Sequence, residues 1–169
     1  NALMRNMTEK ARKSQKTVVF AEATNFNVLK AAQVVHLEGI AKPILLGNEE
    51  FIKSLISDNQ LDMDGVVIID PHSDKEKARR TRFALTLWDK RKRKGMSYEE
   101  TKELMFNRNY FGIMMVETGE ADAFVSGTTV RYSQILKPAL EIIGANPNFN
   151  RVAGMHIIMS KHGPLFFSD

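Results

Sequence analysis

TVVFAEATNFNVLKAAQ, residues 17–33, joins a short apolar run rich in β-branched residues to a segment with helical spacing. Thr17–Ala23 reads as a buried strand, because an apolar run of this length packs in a sheet covered on both faces. Thr24 or Asn25 is placed to cap a following helix, in which Val28, Ala31, Ala32, Val35 and Leu37 recur near the helical period. The pattern then repeats. AKPILLG (41–47) and GVVIID (65–70) are further apolar runs, with a helix over 49–59 between them that carries Phe51, Ile52, Leu55 and Ile56 on one side.

A long helix is expected from Asp74 to Lys94, with Phe83, Ala84, Leu87 and Trp88 as its apolar stripe and Gly95 as its stop. Ser97 and Glu100 have the spacing of a capping box opening the next helix, and NYFGIMMVETG (109–119) reads as another. Ala123-Phe124-Val125 is a short strand that runs through Ser126-Gly127-Thr128-Thr129 into a helix containing Pro138. HIIMS and PLFFSD, on either side of Lys161-His162-Gly163, predict a hairpin. Strands alternating with helices imply an α/β domain with a mainly parallel sheet and right-handed crossovers. No repeat or linker divides the 169 residues, which form one unit. Asn1-Ala2 resemble a tag remnant, and a chain ending on a fresh hairpin reads as a fragment of something longer.

Composition narrows the function. With 43% hydrophobic and 26% charged residues the chain is globular, and no apolar run reaches the roughly 18 residues of a membrane span. The absence of cysteine excludes disulfides, thiolate metal sites and a cysteine nucleophile, and fits a cytoplasmic protein. His36, His72, His156 and His162 lack metal-ligand spacing. The net charge of +4 is concentrated in ARKSQK, KARRTR (77–82) and DKRKRKG (89–95), which raises a nucleic-acid partner. No stacking motif or zinc pattern accompanies these runs, so they read as solvated helix faces with a few cations free for a small polyanion. Glu117, Glu120 and Asp122 read as solvated loop carboxylates, and neither a Walker A loop nor GxGxxG is present.

Chemistry concentrates at Ser126-Gly127-Thr128-Thr129. A strand-to-helix turn at the carboxyl edge of a parallel sheet offers free N–H groups and a helix dipole to an anion, glycine permits close approach, and hydroxyls add donors. Arg131 follows within a turn, its fork suited to phosphate. The alternative is that Ser126 and Thr129 only cap the helix. From spacing alone both stand.

Five ordered blocks, TVVFAEATNFNVLKAAQ, GIAKPILLG, RKRKGMSYEE, NYFGIMMVETGEADAFVSGT and LKPALEIIG, resemble the N-terminal half of the phosphate acetyl/butyryltransferase family from about Lys16 onward. More narrowly, EKARKSQKTVVFAEA and AKPILLG resemble the C-terminal phosphotransacetylase-like domain of large bacterial NADP-dependent malic enzymes. The resemblance implies a three-layer α/β/α fold of the isocitrate/isopropylmalate dehydrogenase type, here truncated. It implies acetyl-CoA or CoA and phosphate as ligands and a homo-oligomer, with no nucleic acid or membrane partner. NADP and a divalent metal would belong only to a malic enzyme's catalytic part.

On this basis Val125–Thr128 match the loop near the phosphate and acyl group, and Arg91, Lys92, Lys94 and Gly95 match a basic segment associated with CoA phosphates. Val130-Arg131 stand where transacetylases usually show His-Ser, and Lys137 stands for a family arginine. The family's catalytic aspartate and Ser-Arg pair fall in the second half. The leading expectation is therefore an acetyl-CoA-responsive, oligomerising regulatory domain of a malic enzyme that decarboxylates malate to pyruvate, inactive by itself. The alternatives are half of a stand-alone phosphate acetyltransferase, which makes acetyl phosphate and CoA from acetyl-CoA and phosphate, and a basic nucleic-acid-binding module.

Overall fold

A computed structural model describes residues 2–149 and 152–168. Its centre is a four-stranded, wholly parallel sheet in the order β3-β2-β1-β4, formed by β1 (Lys16–Phe20), β2 (Ala41–Leu46), β3 (Val67–Ile69) and β4 (Ala123–Val125). Helix α1 (Ala2–Lys13) precedes it, α2 (Phe26–Leu37) and α3 (Glu49–Asp58) link the first three strands, and α7 (Tyr132–Ile142) follows β4. Between β3 and β4 lie α4 (Lys77–Arg91), α5 (Tyr98–Leu104) and α6 (Arg108–Glu117), with 3₁₀ turns at Asp74–Glu76 and Lys92–Lys94. A separate antiparallel hairpin pairs β5 (Met155–Ser160) with β6 (Gly163–Ser168).

The alternation of strand side chains separates two cores and so makes three layers. Val19, Ile44, Leu46 and Ile69 pack against Phe83, Leu87, Phe111, Met114 and Ile142. Phe20 and Leu45 point the other way, onto Leu29, Ala32 and Ile52. Gly112 is required where α6 crosses β4, because a Cβ there would sit 2.5 Å from the Phe124 ring.

The expected α/β/α architecture, strands and hairpin are all present, with differences in detail. Asn25 caps α2 as expected, but Leu29 and Ala32 are its buried residues, while Ala31 and Leu37 are exposed. Phe51 of α3 is also exposed, leaving Ile52 as that helix's anchor. The segment 74–94 divides into a helix flanked by two 3₁₀ turns. Residues 2–13 form an exposed helix tied down by Arg12, whose Nε donates to the Glu38 carbonyl at 2.7 Å. Of the suspected tag remnant, Ala2 begins this helix and Asn1 lies outside the described residues.

The cation clusters are more committed than solvated helix faces would be. Arg80 is 9% exposed and its Nη1 donates to the carbonyls of Pro71 and Ser73 at 2.7 and 2.6 Å. Arg79 and Arg82 hold Glu120, and Lys90 holds Glu117. Asp122 accepts the Thr17 N–H at 2.8 Å. These carboxylates therefore stitch α4, α6 and β1 together instead of standing free in loops.

Candidate active site

The order of strand addition reverses between β1 and β4, since β1 leads outward to β2 and β3 while the α4–α6 crossover returns to the other side of β1. Such a switch point leaves a crevice beyond the carboxyl ends of the two strands. Glu22 stands at the end of β1 and Ser126–Thr129 at the end of β4, so both meet there.

The turn does bind an anion, and the anion is Glu22. One carboxylate oxygen accepts the N–H of Gly127 at 2.7 Å and of Thr128 at 2.8 Å; the other accepts the N–H of Thr129 at 2.7 Å and also its hydroxyl. Gly127 adopts φ 124°, a left-handed value that lets successive N–H groups converge on the carboxylate. Glu22 is 1% exposed. Burial pushes its pKa up, but the Thr129 hydroxyl and the N–H groups of Thr128, Gly127 and Thr129 outweigh that and bring it from 4.5 down to about 2. Glu22 is thus an ion at any physiological pH.

This occupancy alters the role expected of the turn. The backbone donors of Gly127, Thr128 and Thr129 are already committed, so what they offer a ligand is the shape of the loop and the Thr128 hydroxyl. Ser126 turns its Oγ to Asn109 Oδ1 at 3.1 Å, and Asn109 in turn donates to the Gln134 carbonyl at 3.2 Å, which fixes the loop to α6 and α7. Arg131 is exposed and caps α7 through its backbone: its carbonyl accepts the Gln134 N–H at 2.9 Å, and its own N–H donates to Gln134 Oε1 at 3.1 Å.

Arg108, the first residue of α6, is the cation nearest this lock. Its Nη2 lies 3.5 Å from Thr129 Oγ1 and 4.0 Å from Glu22 Oε1, and the side chain is 33% exposed. Two clefts meet at Arg108. One, of about 430 Å³, opens over β1–β3 between Gly47, Asn48, Asp70, His72 and Phe106. The other, of about 340 Å³, runs along α7 past Val130, Gln134, Lys137 and Pro138, with Tyr110 and Leu104 opposite. Buried Tyr110 donates to Glu141 Oε2 at 2.6 Å. Its pKa is raised by burial first, then by that bond and the charges of Glu141 and Glu100, with Arg91 pulling the other way.

The basic segment is not beside the turn. Arg80, near the start of α4, bonds the loop after β3 at the carboxyl edge, while Lys90 reaches the Ile142 carbonyl at the far end of α7 at 2.9 Å. Arg91, Lys92 and Lys94 therefore lie toward the opposite edge, about 15 Å of helix away. Lys92 is held by Asp89 and lies 5.2 Å above the Trp88 ring, whereas Lys94 is exposed. Lys137 Nζ lies 4.0 Å from Glu141, which also accepts the Tyr110 hydroxyl. Among the described residues no cluster of His, Asp or Glu has the makings of a metal site.

Glu22 and Arg108 were missed in the sequence. Glu22 carried a signal, a carboxylate inside a run expected to be buried, since a buried charge must have donors. Arg108 carried none, because its partners come from segments remote in sequence.

A parallel sheet with helices on both faces and an anion-holding turn at its switch point defines a three-layer α/β unit. The family model for phosphate acetyl/butaryl transferase matches residues 2–169, and the chain belongs to that family. It is 37% identical over 159 residues to the phosphate acetyltransferase of Acetivibrio thermocellus, covering 94% of this chain and 46% of that protein. It is 34% identical over 168 residues to that of Helicobacter pylori, covering 99% and 32%. Among solved structures it resembles the EutD phosphotransacetylase from Staphylococcus aureus, with a TM-score of 0.84, 28% identity and 98% and 49% of the two chains covered. A phosphotransacetylase from Streptococcus pyogenes gives 0.82 at 26% identity, with 95% and 47% covered. The chain thus spans about half the length, or less, of these relatives. They are named as transferases, and the narrower likeness to malic enzymes has no counterpart among them.

Proposed function

We propose that this chain is the N-terminal half of a phosphate acyltransferase unit that interconverts acetyl-CoA plus phosphate with acetyl phosphate plus CoA. The observation that carries this is the family match over residues 2–169, joined to a switch-point turn locked in place before any ligand arrives. In the synthetic direction a phosphate oxygen attacks the thioester carbonyl, the C–S bond breaks and CoA leaves as thiolate. The chain contributes binding and positioning. Lys137, and Arg91, Lys92 and Lys94 farther along, supply cations for CoA phosphates, while Thr128 and the rigid turn shape the acyl end. The base that handles the thiol proton belongs to the half of the relatives' length that this chain does not span. A homo-oligomer and a cytoplasmic setting accompany this reading; among the described residues no helix is long and apolar enough to cross a membrane.

A second reading, an acetyl-CoA-sensing domain attached to a malic enzyme, is favoured by the departures at Val130-Arg131 and Lys137 from the usual His-Ser and arginine. NADP and a metal would then act elsewhere in that protein. An acetyl phosphate assay on the intact protein, run beside malate-dependent NADP reduction titrated with acetyl-CoA, separates the two. Acetyl phosphate formation without malate oxidation supports the transferase; acetyl-CoA-sensitive malate oxidation without acetyl phosphate overturns it.

A further inference from the structure

With the turn's backbone donors taken by Glu22, the phosphoryl group needs another partner, and the cations along the two clefts are Arg108 and Lys137. Lys137 is 71% exposed and already shares Glu141 with Tyr110. Arg108 is more enclosed, borders both clefts, and among the described residues has only the long polar contacts of 3.5 Å to Thr129 and 4.0 Å to Glu22, which leaves most of its five donors unengaged there. Glu22 does not consume its charge, because four shorter hydrogen bonds already satisfy that carboxylate.

Resting on the transferase reading, we propose that Arg108 is the residue that receives the phosphoryl group of acetyl phosphate or free phosphate, its guanidinium standing at the mouth of the turn beside Thr129. A planar fork can bond two phosphoryl oxygens at once. Val130 and Pro138 line the adjoining cleft toward Lys137, which suits a ligand that is anionic at the Arg108 end and less polar beyond it.

The test is isothermal titration of the intact protein and of its Arg108→Gln and Arg108→Lys variants with inorganic phosphate, acetyl phosphate, CoA and dephospho-CoA. Arg108→Gln is expected to weaken phosphate and acetyl phosphate at least about tenfold and to leave CoA and dephospho-CoA within about twofold. Arg108→Lys, which retains the charge and hence a partner for Glu22, is expected to lose about three- to tenfold for acetyl phosphate; it decides the matter should the glutamine variant not fold. Equal acetyl phosphate binding by wild type and a folded variant overturns the inference and leaves the transferase reading standing. A loss confined to CoA, absent for dephospho-CoA, also overturns it by assigning Arg108 to the 3′-phosphate. Failure of the unsubstituted intact protein to bind any of the four ligands overturns the transferase reading and the inference together.

Discussion

The turn at 126–129 and the basic segment at 89–95 both looked like anion sites, yet they differ in what their charge is doing. At the turn, an anion is already inside: Glu22 is buried, ionised and satisfied by four donors. At the basic segment, Arg93 and Lys94 are exposed and Lys92 leans on Asp89 at the surface. The first is a structural lock with geometric precision; the second is an exposed, salt-screened field. Density of polar or basic residues in the sequence is therefore a poor guide to which groups remain available to a ligand.

Four changes would break or sharpen that contrast. Glu22→Gln has the largest expected effect, about 3 kcal/mol of destabilisation, because the amide NH₂ faces backbone donors and leaves them unpaired. Urea unfolding checks it; a loss below about 1 kcal/mol would mean the lock is not holding the turn.

Acid should reproduce much of that loss. Since Glu22 has its pKa depressed in the folded state, its contribution is complete above the unfolded value of 4.5 and disappears as pH falls toward about 2. That drop is worth about 3 kcal/mol, and Glu22→Gln should flatten this acid limb. A limb of the same steepness in the variant would assign the effect to other carboxylates.

Thr129→Val removes one donor to a buried charge while keeping the side-chain shape, for a loss of about 2 kcal/mol by the same unfolding measurement. At the other site, Lys94→Ala should move melting by less than about 2 °C, as exposed positions allow, and Arg91→Ala only somewhat more. Both should weaken CoA binding more than acetyl phosphate binding. Wild-type CoA affinity in both would remove the basic segment from the site.

Much of the fold was legible because it rests on local signals. Apolar runs at 17–23, 41–47 and 65–70 became parallel strands, and Asn25 and Ser97 cap the helices they precede. The errors concern which side faces inward: Leu29 takes the place expected for Ala31 and Leu37, packing with Phe20, Leu45 and Ile52. The site was half legible. Ser126–Thr129 announced a donor-rich turn, but which anion filled it depended on a residue more than 100 positions earlier, at the end of a strand paired with β4. Arg108 depends likewise on α6 delivering its first residue to that junction. Such long-range convergence has no spacing rule to reveal it.

The most direct test is a ¹³C titration of the Glu22 side-chain carboxyl by NMR, recorded together with the amide protons of Gly127, Thr128 and Thr129. The account predicts a midpoint near 2, with those three amides moving in step with the carboxyl and exchanging slowly above it. A midpoint near 4.5, with amides indifferent to it, would contradict the claim that Glu22 fills and holds the turn.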